Sequence, residues 1–307
     1  GDEAYEAGNF YDAKQYYGRA VSRDPTNQQW LEQFHDALLK SMPPTTAEYG
    51  KFYDEHVRTL QKLAMLNETD IDHQIEYVET RDREIRQVNQ SVQGYKRIEG
   101  LAEDAARYIP EGEPKLAALY RYRGLATVDR MQREVVDEQA RTRARNDLEE
   151  AVEFNPDDHE AALGLARWEF AEVTRHRRDN RIDAARTAFQ RGNEIVEDFL
   201  AEHPDDPEAH LLRLQMQFQE GNRRAVSPIE RTRLFERIMP MYERTVEVFS
   251  QADPSTLSVR SLEGLSQLGS NIGVSDSEPM LAVLEGVIQA KPDDPRLKLL
   301  MGRVHLR

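Results

Sequence analysis

Residues 1–25 read GDEAYEAGNFYDAKQYYGRAVSRDP, and this stretch decides the fold. Within it, Ala13 and Ala20 are seven residues apart, which is about two helical turns, so both lie on one helix face. Small side chains at that spacing let a second helix approach closely. Phe10 and Tyr17 have the same spacing and supply the bulk that fills the space beside the alanines. The stretch therefore predicts a helix that packs tightly against another helix.

The end of that helix is marked by Asp24-Pro25-Thr26-Asn27. Proline disfavours helix in the residue before it, and Asn27 can cap the helix that follows. Similar marks recur as Asn155-Pro156-Asp157-Asp158, His203-Pro204-Asp205-Asp206 and Lys291-Pro292-Asp293-Asp294, with a looser copy at Asp253-Pro254-Ser255-Thr256. The prolines from Pro156 onward are 48, 50 and 38 residues apart. A period of this size indicates stacked helical repeats.

The opening stretch resembles the tetratricopeptide repeat. In that family a small residue ends the first helix, Gly-x-aromatic-x-x-Ala opens the second, and an aromatic residue, an Ala and a Pro follow. The positions that fit are Gly8, Phe10, Ala13, Tyr17, Ala20 and Pro25. The resemblance implies an all-α fold, in which helix-turn-helix repeats stack into a right-handed α–α superhelix, or solenoid.

A second copy of the pattern has the same spacing, and two later copies are degenerate. The second copy contains Ala144, Leu148, Ala151 and Pro156, and the later copies contain Gly192, Val196, Phe199 and Pro204, then Met280, Leu284, Val287 and Pro292. We therefore expect a single array over residues 1–307, with clear repeats at 1–40 and 140–220 and degenerate repeats at 41–139 and 221–307. The units are longer than the 34 or so residues typical of the family, which lengthens both helices of a pair.

Apolar periodicity predicts fourteen helices. They span residues 9–23, 27–41, 45–66, 70–92, 94–108, 114–134, 137–154, 158–178, 181–202, 206–220, 228–250, 255–269, 278–290 and 294–306. Pro43-Pro44 and Ser227-Pro228 suit helix starts, whereas Pro240 predicts a kink or a break inside a helical run. Residues 266–277 are rich in Gly and Ser and predict a loop.

Composition limits the functions that the chain can have. Its net charge of −15 works against nucleic-acid binding, because a phosphate backbone repels such a chain unless its cations gather on one face. No stretch approaches the roughly 18 apolar residues of a membrane span. Cysteine is absent, which fits a cytoplasmic protein and an exported or membrane-anchored parent equally well.

Because no phosphate-binding glycine loop or GxSxG motif is present, we expect no enzyme activity and no cofactor.

Two of the histidines follow an acidic residue at a spacing that some metal sites use. Glu32-x-x-His35 has the spacing of carboxylate-bridged di-iron sites, but its near match, Asp70-x-x-His73, lies at a predicted helix start. We therefore interpret these four as ordinary surface residues. The remaining histidines, which show no zinc-binding pattern, are His56, His159, His176, His203, His210 and His305. The sequence predicts no metal site.

The densest basic cluster is Arg175-His176-Arg177-Arg178 with Arg181. It could form a site for an anion or an acidic peptide. The interpretation we favour is a solvated hairpin region, because Glu172 and Asp179 lie close enough in sequence to neutralise it.

In tetratricopeptide arrays the first helix of each pair lines a concave groove, and the resemblance implies the contact residues by position. They are Gln29, Glu32 and Asp36, then Glu160, Arg167 and Phe170, then Glu208, Gln215 and Phe218. This lining is polar with two aromatic anchors, which suits an extended peptide or a partner helix. The family's basic clamp for chaperone C-termini is missing, so chaperone binding is not expected. Trp30 and Trp168 are expected in the core between repeats.

These observations favour a non-catalytic scaffold or adaptor, an interaction module of a larger bacterial protein that binds a protein or peptide partner. The alternative is a regulatory or accessory region of an enzyme or signalling protein whose catalytic domain lies elsewhere. A third reading, an RNA-binding helical repeat, is disfavoured by the negative charge. Because the first helix of the opening repeat would start before Gly1, we expect a fragment of a longer protein, with weak homo-association through its repeat ends.

Overall fold

The computed structural model describes residues 1–41, 46–88, 90–274, 276–292 and 294–305, which are helical and contain no strand. The helices are α1 (Asp2–Glu6), α2 (Phe10–Arg23), α3 (Gln28–Lys40), α4 (Thr46–Leu66), α5 (Ile71–Val88), α6 (Val92–Ala106), α7 (Leu116–Met131), α8 (Glu138–Phe154), α9 (His159–Arg178), α10 (Ile182–Glu202), α11 (Pro207–Arg224), α12 (Pro228–Gln251), α13 (Val259–Ile272), α14 (Glu278–Ala290) and α15 (Pro295–His305). None of these helices is both long and apolar enough to cross a membrane. The helix starts predicted at residues 43–45 and the helix end predicted at residue 306 lie outside the described residues.

The segments that contain Pro25, Pro156 and Pro204 each place a capping side chain at the start of the next helix. The side-chain oxygens of Asn27, Asp158 and Asp206 each accept a hydrogen bond from the backbone N–H three residues later, at 2.8–3.1 Å. Each of these residues stands two positions after the proline of its mark. The bonds satisfy N–H groups that a helix leaves unpaired at its start. The capping role predicted for Asn27 is confirmed.

The chain divides into two compact units, and the first is Gly1–Gly164. Successive helices from α2 to α8 pack against one another, and α5 also packs against α7. Small residues allow the closest approaches, because a Cβ added at Gly124 of α7 would lie 2.7 Å from Leu148 Cγ of α8. Ala144 and Ala151 are also buried on α8, so the second copy of the repeat pattern forms a helix interface as predicted.

The second unit begins at Leu165. Within it α11 packs against α13 and α13 against α15, while α12 packs against α14. First helices of successive pairs therefore adjoin one another, and so do second helices, which is how helical repeats stack. A Cβ at Gly192 of α10 would lie 3.0 Å from Met216 of α11 and 3.3 Å from the carbonyl oxygen of Ala166 on α9, so α10 contacts both. Core residues with no exposed surface include Leu214, Ile238, Leu262, Leu284, Val287 and Leu297.

The loop predicted at residues 266–277 is wrong over its first half, because α13 extends to Ile272. Leu265, Leu268 and Ile272 recur at helical spacing and are all buried, so packing outweighs the weak helix preference of the intervening Gly and Ser residues. Helix α13 ends at Gly273, whose φ of 74° places it in the left-handed region that glycine adopts at helix ends.

Two other predicted boundaries differ from the structure. Helix α12 continues through Pro240, so of the predicted kink or break, the break does not occur. The helix predicted at 70–92 ends instead at Val88, and Ser91 caps α6 by accepting a hydrogen bond from the N–H of Gly94 at 3.0 Å. Helix α1 is absent from the helices predicted by apolar periodicity, because five residues are too few to show a period. It lies before Gly8, where the repeat resemblance implies the end of a first helix.

Candidate functional site

The first group of predicted contact residues lies on one face of α3. Gln29, Glu32 and Asp36 follow one another at spacings of three and four residues, which brings their side chains onto the same side of the helix. Gln29 is exposed, and the two acidic residues are partly buried. Glu32 accepts a hydrogen bond from Gln28 Nε2 at 2.8 Å, which holds its carboxylate along the helix.

A cleft of about 300 Å³ adjoins this face of α3. Its lining residues are Asp2, Tyr5, Glu6, Tyr17, Gln33 and Asp36. Burial, together with the 2.7 Å hydrogen bond that the Tyr17 hydroxyl donates to Asp2, raises the pKa of Tyr17 to about 12. Burial favours a higher pKa for Asp36, but hydrogen bonds from Tyr5 and Lys40 outweigh it and lower that pKa. The cleft is therefore acidic, because it holds the carboxyl groups of Asp2, Glu6 and Asp36 beside the neutral Tyr17.

Glu160 lies in the first turn of α9, and its side chain is 67% exposed. Its carboxylate is 3.5 Å from Arg121 Nε on α7. Arg121 also pairs with the buried carboxylate of Asp158, at 3.0 Å between Nη1 and Oδ2. Because the guanidinium is shared with a buried partner, most of the Glu160 side chain stays in solvent and is available to another molecule.

In the second unit, Glu208 on α11 connects three helices. Its carboxylate lies 3.5 Å from Arg167 Nη2 on α9 and accepts a hydrogen bond from the Ser261 hydroxyl on α13. Two turns further along α11, Gln215 Nε2 would lie 3.1 Å from a Cβ added at Gly264 of α13. Three predicted contact residues, Arg167, Glu208 and Gln215, therefore lie where the first helices of successive pairs run beside one another.

The two predicted aromatic anchors have other roles. Phe218 is 7% exposed and belongs to the hydrophobic core of the second unit, so it is not available as a surface anchor. Phe170 is partly buried against Val173, Ala185 and Ala188, between α9 and α10. The repeat pattern assigned both rings to the correct first helices. It did not show that these side chains turn toward the packed side of the helix.

The remaining groups singled out in the sequence have structural roles. At the end of α9, Arg175 pairs with the buried carboxylate of Glu172 and lies 3.3 Å from Asp179, which are two of the acidic residues expected to neutralise the basic cluster. Arg177 of the same cluster pairs instead with the buried carboxylate of Glu220 on α11. Trp168 is buried, and Trp30 is partly buried against the core of α2 and α3, in agreement with the core role expected for both.

Three residues that the sequence did not connect meet in the first unit. They are His35 on α3, His56 on α4 and Glu76 on α5, and one ligand atom from each lies within 4.8 Å of the others. His35 Nε2 is 3.1 Å from His56 Nδ1 and 3.5 Å from Glu76 Oε1. Both histidines are buried, so the prediction that His35 is a surface residue is wrong. No local spacing could have revealed the cluster, because its members are about twenty residues apart on three consecutive helices.

Burial sets the protonation of this cluster. It lowers the pKa of His35 to about 4, an effect to which the neighbouring His56 and His73 add. Burial also lowers the pKa of His56, with a contribution from Arg83, and it raises the pKa of Glu76. Both imidazoles are therefore neutral at pH 7, and each ring has one nitrogen that carries a lone pair. A neutral imidazole nitrogen is a common ligand of transition metals.

Comparison with known proteins shows the fold of the chain but finds no relative by sequence. No protein-family model matches the chain, and no curated protein sequence matches it. Among solved structures, a tetratricopeptide repeat protein from Parabacteroides merdae is similar, with a TM-score of 0.59 at 13% identity, covering 99% of this chain and 95% of that one. The human IFIT1 dimer with m7Gppp-AAAA has a TM-score of 0.43 at 12% identity, covering 97% and 68%. An assembly chaperone of RpL4, Acl4, has a TM-score of 0.37 at 12% identity, covering 100% and 93%. The likeness to the Parabacteroides protein confirms the predicted all-α helical repeats.

Proposed function

Because the chain has a tetratricopeptide-repeat fold, we propose that it is a non-catalytic scaffold that binds a protein or peptide partner along the exposed face of its first helices. The observation that carries this proposal is the link from Arg167 through Glu208 to Ser261, which joins the first helices of three successive pairs. Side chains on neighbouring first helices then form one continuous lining for an extended segment. Helical repeats use such surfaces to bind partners.

The chemistry of the lining favours a basic partner. In the first unit Glu32, Asp36 and Glu160 are all acidic, and the adjoining cleft adds Asp2 and Glu6. The whole chain carries a net charge of −15, so its field attracts cationic segments and repels phosphate backbones. We therefore propose an extended peptide or partner helix rich in Lys and Arg, and no nucleic acid.

A peptide library displayed on phage, with the full chain as bait, tests this proposal. We expect the selected peptides to be enriched in Lys and Arg. Their binding should weaken as salt is raised, because exposed charges are screened over about 10 Å at 0.1 M ionic strength. The double variant Glu32→Lys with Glu160→Lys should weaken binding at least tenfold.

The matched control is Glu150→Lys with Glu153→Lys. Both of these residues are exposed on α8, a second helix of the same unit, and the change in net charge is identical. The control should bind within about twofold of the unaltered chain. Equal losses in both variants would mean that only overall charge matters, and selection of no peptide would remove the proposal. Retention of single-stranded RNA at low salt would replace it with nucleic-acid binding.

A further inference from the structure

We propose that His35, His56 and Glu76 form a binding site for a divalent transition-metal ion, with Zn²⁺ as the ion that the ligand set suits best. The three side chains come from α3, α4 and α5, and their ligand atoms converge on one point between the helices. Two imidazoles and one carboxylate make a known three-ligand zinc set that leaves a fourth position for water or another group.

The distances between the ligand atoms suit a metal ion. With bonds of about 2.0–2.1 Å, two ligand atoms of a tetrahedral zinc site lie roughly 3.3–3.4 Å apart. The separation of His35 Nε2 from His56 Nδ1 is 3.1 Å, and that of His35 Nε2 from Glu76 Oε1 is 3.5 Å. Small movements of the Glu76 side chain, which is 39% exposed, would complete the arrangement.

The surroundings hold the two imidazoles in place. The rings of His35 and His56 are nearly parallel, with centroids 5.0 Å apart and an interplanar angle of 10°. The ring of Phe52 is stacked against His56, with centroids 6.1 Å apart. Because both histidines are buried, an ion at this point would be shielded on the core side and would reach solvent past Glu76. Two buried imidazoles and one partly exposed carboxylate leave an open side by which an ion can enter.

A metal ion at this position would stabilise a particular part of the chain. Helices α4 and α5 belong to residues 41–139, in which the repeat pattern is degenerate, whereas α3 belongs to the clear opening repeat. An ion bound by one residue from each helix would link these two regions. Binding free energy at such a site adds directly to the stability of the folded state.

The same geometry is also compatible with a metal-free arrangement, in which one neutral imidazole donates a hydrogen bond to the other across 3.1 Å. The two arrangements make opposite predictions about added metal. A site for an ion gives saturable binding at one ion per chain, whereas a hydrogen-bonded histidine pair gives none.

The test is a Zn²⁺ titration of the full chain, stripped of metal, against a chromophoric chelator, with Co²⁺ absorption as a second readout. We expect one Zn²⁺ per chain, a Co²⁺ spectrum of tetrahedral type, and a midpoint of thermal unfolding that rises with added Zn²⁺. Glu76→Gln keeps the size of a half-exposed side chain and should weaken Zn²⁺ binding at least tenfold. His35→Gln and His56→Asn, which retain a polar atom near each ligand position, should abolish it.

The control is His159→Gln, which removes a histidine from the same unit but outside the cluster. It should bind Zn²⁺ as the unaltered chain does. The proposal is overturned if the unaltered chain binds no Zn²⁺, or if a folded Glu76→Gln variant binds with unchanged affinity. Loss of binding in the His159→Gln variant would likewise overturn it, because the ion would then be held elsewhere.

Discussion

Arg123 on α7 and Asp147 on α8 form a two-point ion pair, with Arg123 Nε 2.7 Å from Asp147 Oδ2 and Nη2 2.6 Å from Oδ1. The Asp147 side chain is 5% exposed, so the pair is largely removed from water. Burial raises the pKa of Asp147 and outweighs the opposite effect of Arg123. Desolvation therefore offsets much of the attraction between the two charges, as is common for buried ion pairs.

This pair gives the first prediction. Asp147→Ala should lower the free energy of unfolding by about 3–5 kcal/mol, because it leaves the Arg123 guanidinium buried without its partner. The double variant Arg123→Met with Asp147→Leu should recover most of that loss, since apolar side chains of similar size need no desolvation of charge. Urea denaturation of the three proteins measures this. A double variant as unstable as Asp147→Ala would show that the ion pair itself stabilises the α7–α8 interface.

The second prediction concerns two glycines that lie inside helices. Gly124→Ala should destabilise the chain by about 1–3 kcal/mol, because its Cβ would lie 2.7 Å from Leu148 and 3.1 Å from the carbonyl oxygen of Ala144. Gly100→Ala in α6 should instead stabilise it by up to about 1 kcal/mol, because its added Cβ would have no atom within 4 Å apart from its chain neighbours and its own helix backbone, and alanine favours helix. Thermal unfolding of both variants checks the two signs, and a stabilising effect at Gly124 would contradict the close α7–α8 packing.

The third prediction concerns Pro240, which lies inside α12 with its side chain exposed. A proline there removes a backbone donor and strains the preceding turn, at a cost of about 3 kcal/mol in a helix interior. Pro240→Ala should therefore raise the free energy of unfolding by up to that amount. Pro228→Ala, in the first turn of the same helix, should change stability little, because the N–H of that position has no partner within the helix. Equal effects of the two substitutions would contradict this account.

The fourth prediction follows from the burial of Phe218. Phe218→Ala should lower the free energy of unfolding by about 3–5 kcal/mol, because it removes a large side chain from the core of the second unit. Gln29→Ala, at an exposed position of the proposed binding face, should leave stability within about 0.5 kcal/mol. Chemical denaturation distinguishes the two. If the Phe218→Ala chain were as stable as the unaltered chain, Phe218 would not be a core residue and could be a surface contact.

Local signals in the sequence predicted the helices well. Three of the predicted helix ends that contain Pro are each followed by a capped helix start, at Asn27, Asp158 and Asp206. These signals are readable in the sequence because a proline and a capping side chain each act within a single turn of chain. A break at Pro240 does not occur, and the loop predicted at residues 266–277 is wrong over its first half, for the opposite reason. At both places the burial of neighbouring apolar side chains outweighs the local preference for ending a helix.

The candidate sites were harder to predict than the fold. Helical spacing assigns Phe218 to a first helix, but its burial depends on the packing of several helices into the core of the second unit. The cluster of His35, His56 and Glu76 depends on the packing of three helices and has no local signature. Spacing along the chain shows which residues share a helix face, whereas contact between helices is determined by the tertiary structure.

The central claim, that a basic partner binds along the first helices, is tested most directly by site-specific photocrosslinking. In one chain a photoreactive amino acid replaces Gln29, which is exposed on α3, and in a second chain it replaces Glu150, which is exposed on α8. Each chain is then irradiated with the highest-affinity peptide from the display selection. We predict a crosslink from position 29 that excess unlabelled peptide suppresses, and none from position 150. A crosslink from position 150 alone, or equal crosslinking from both positions, would contradict binding at the first-helix face.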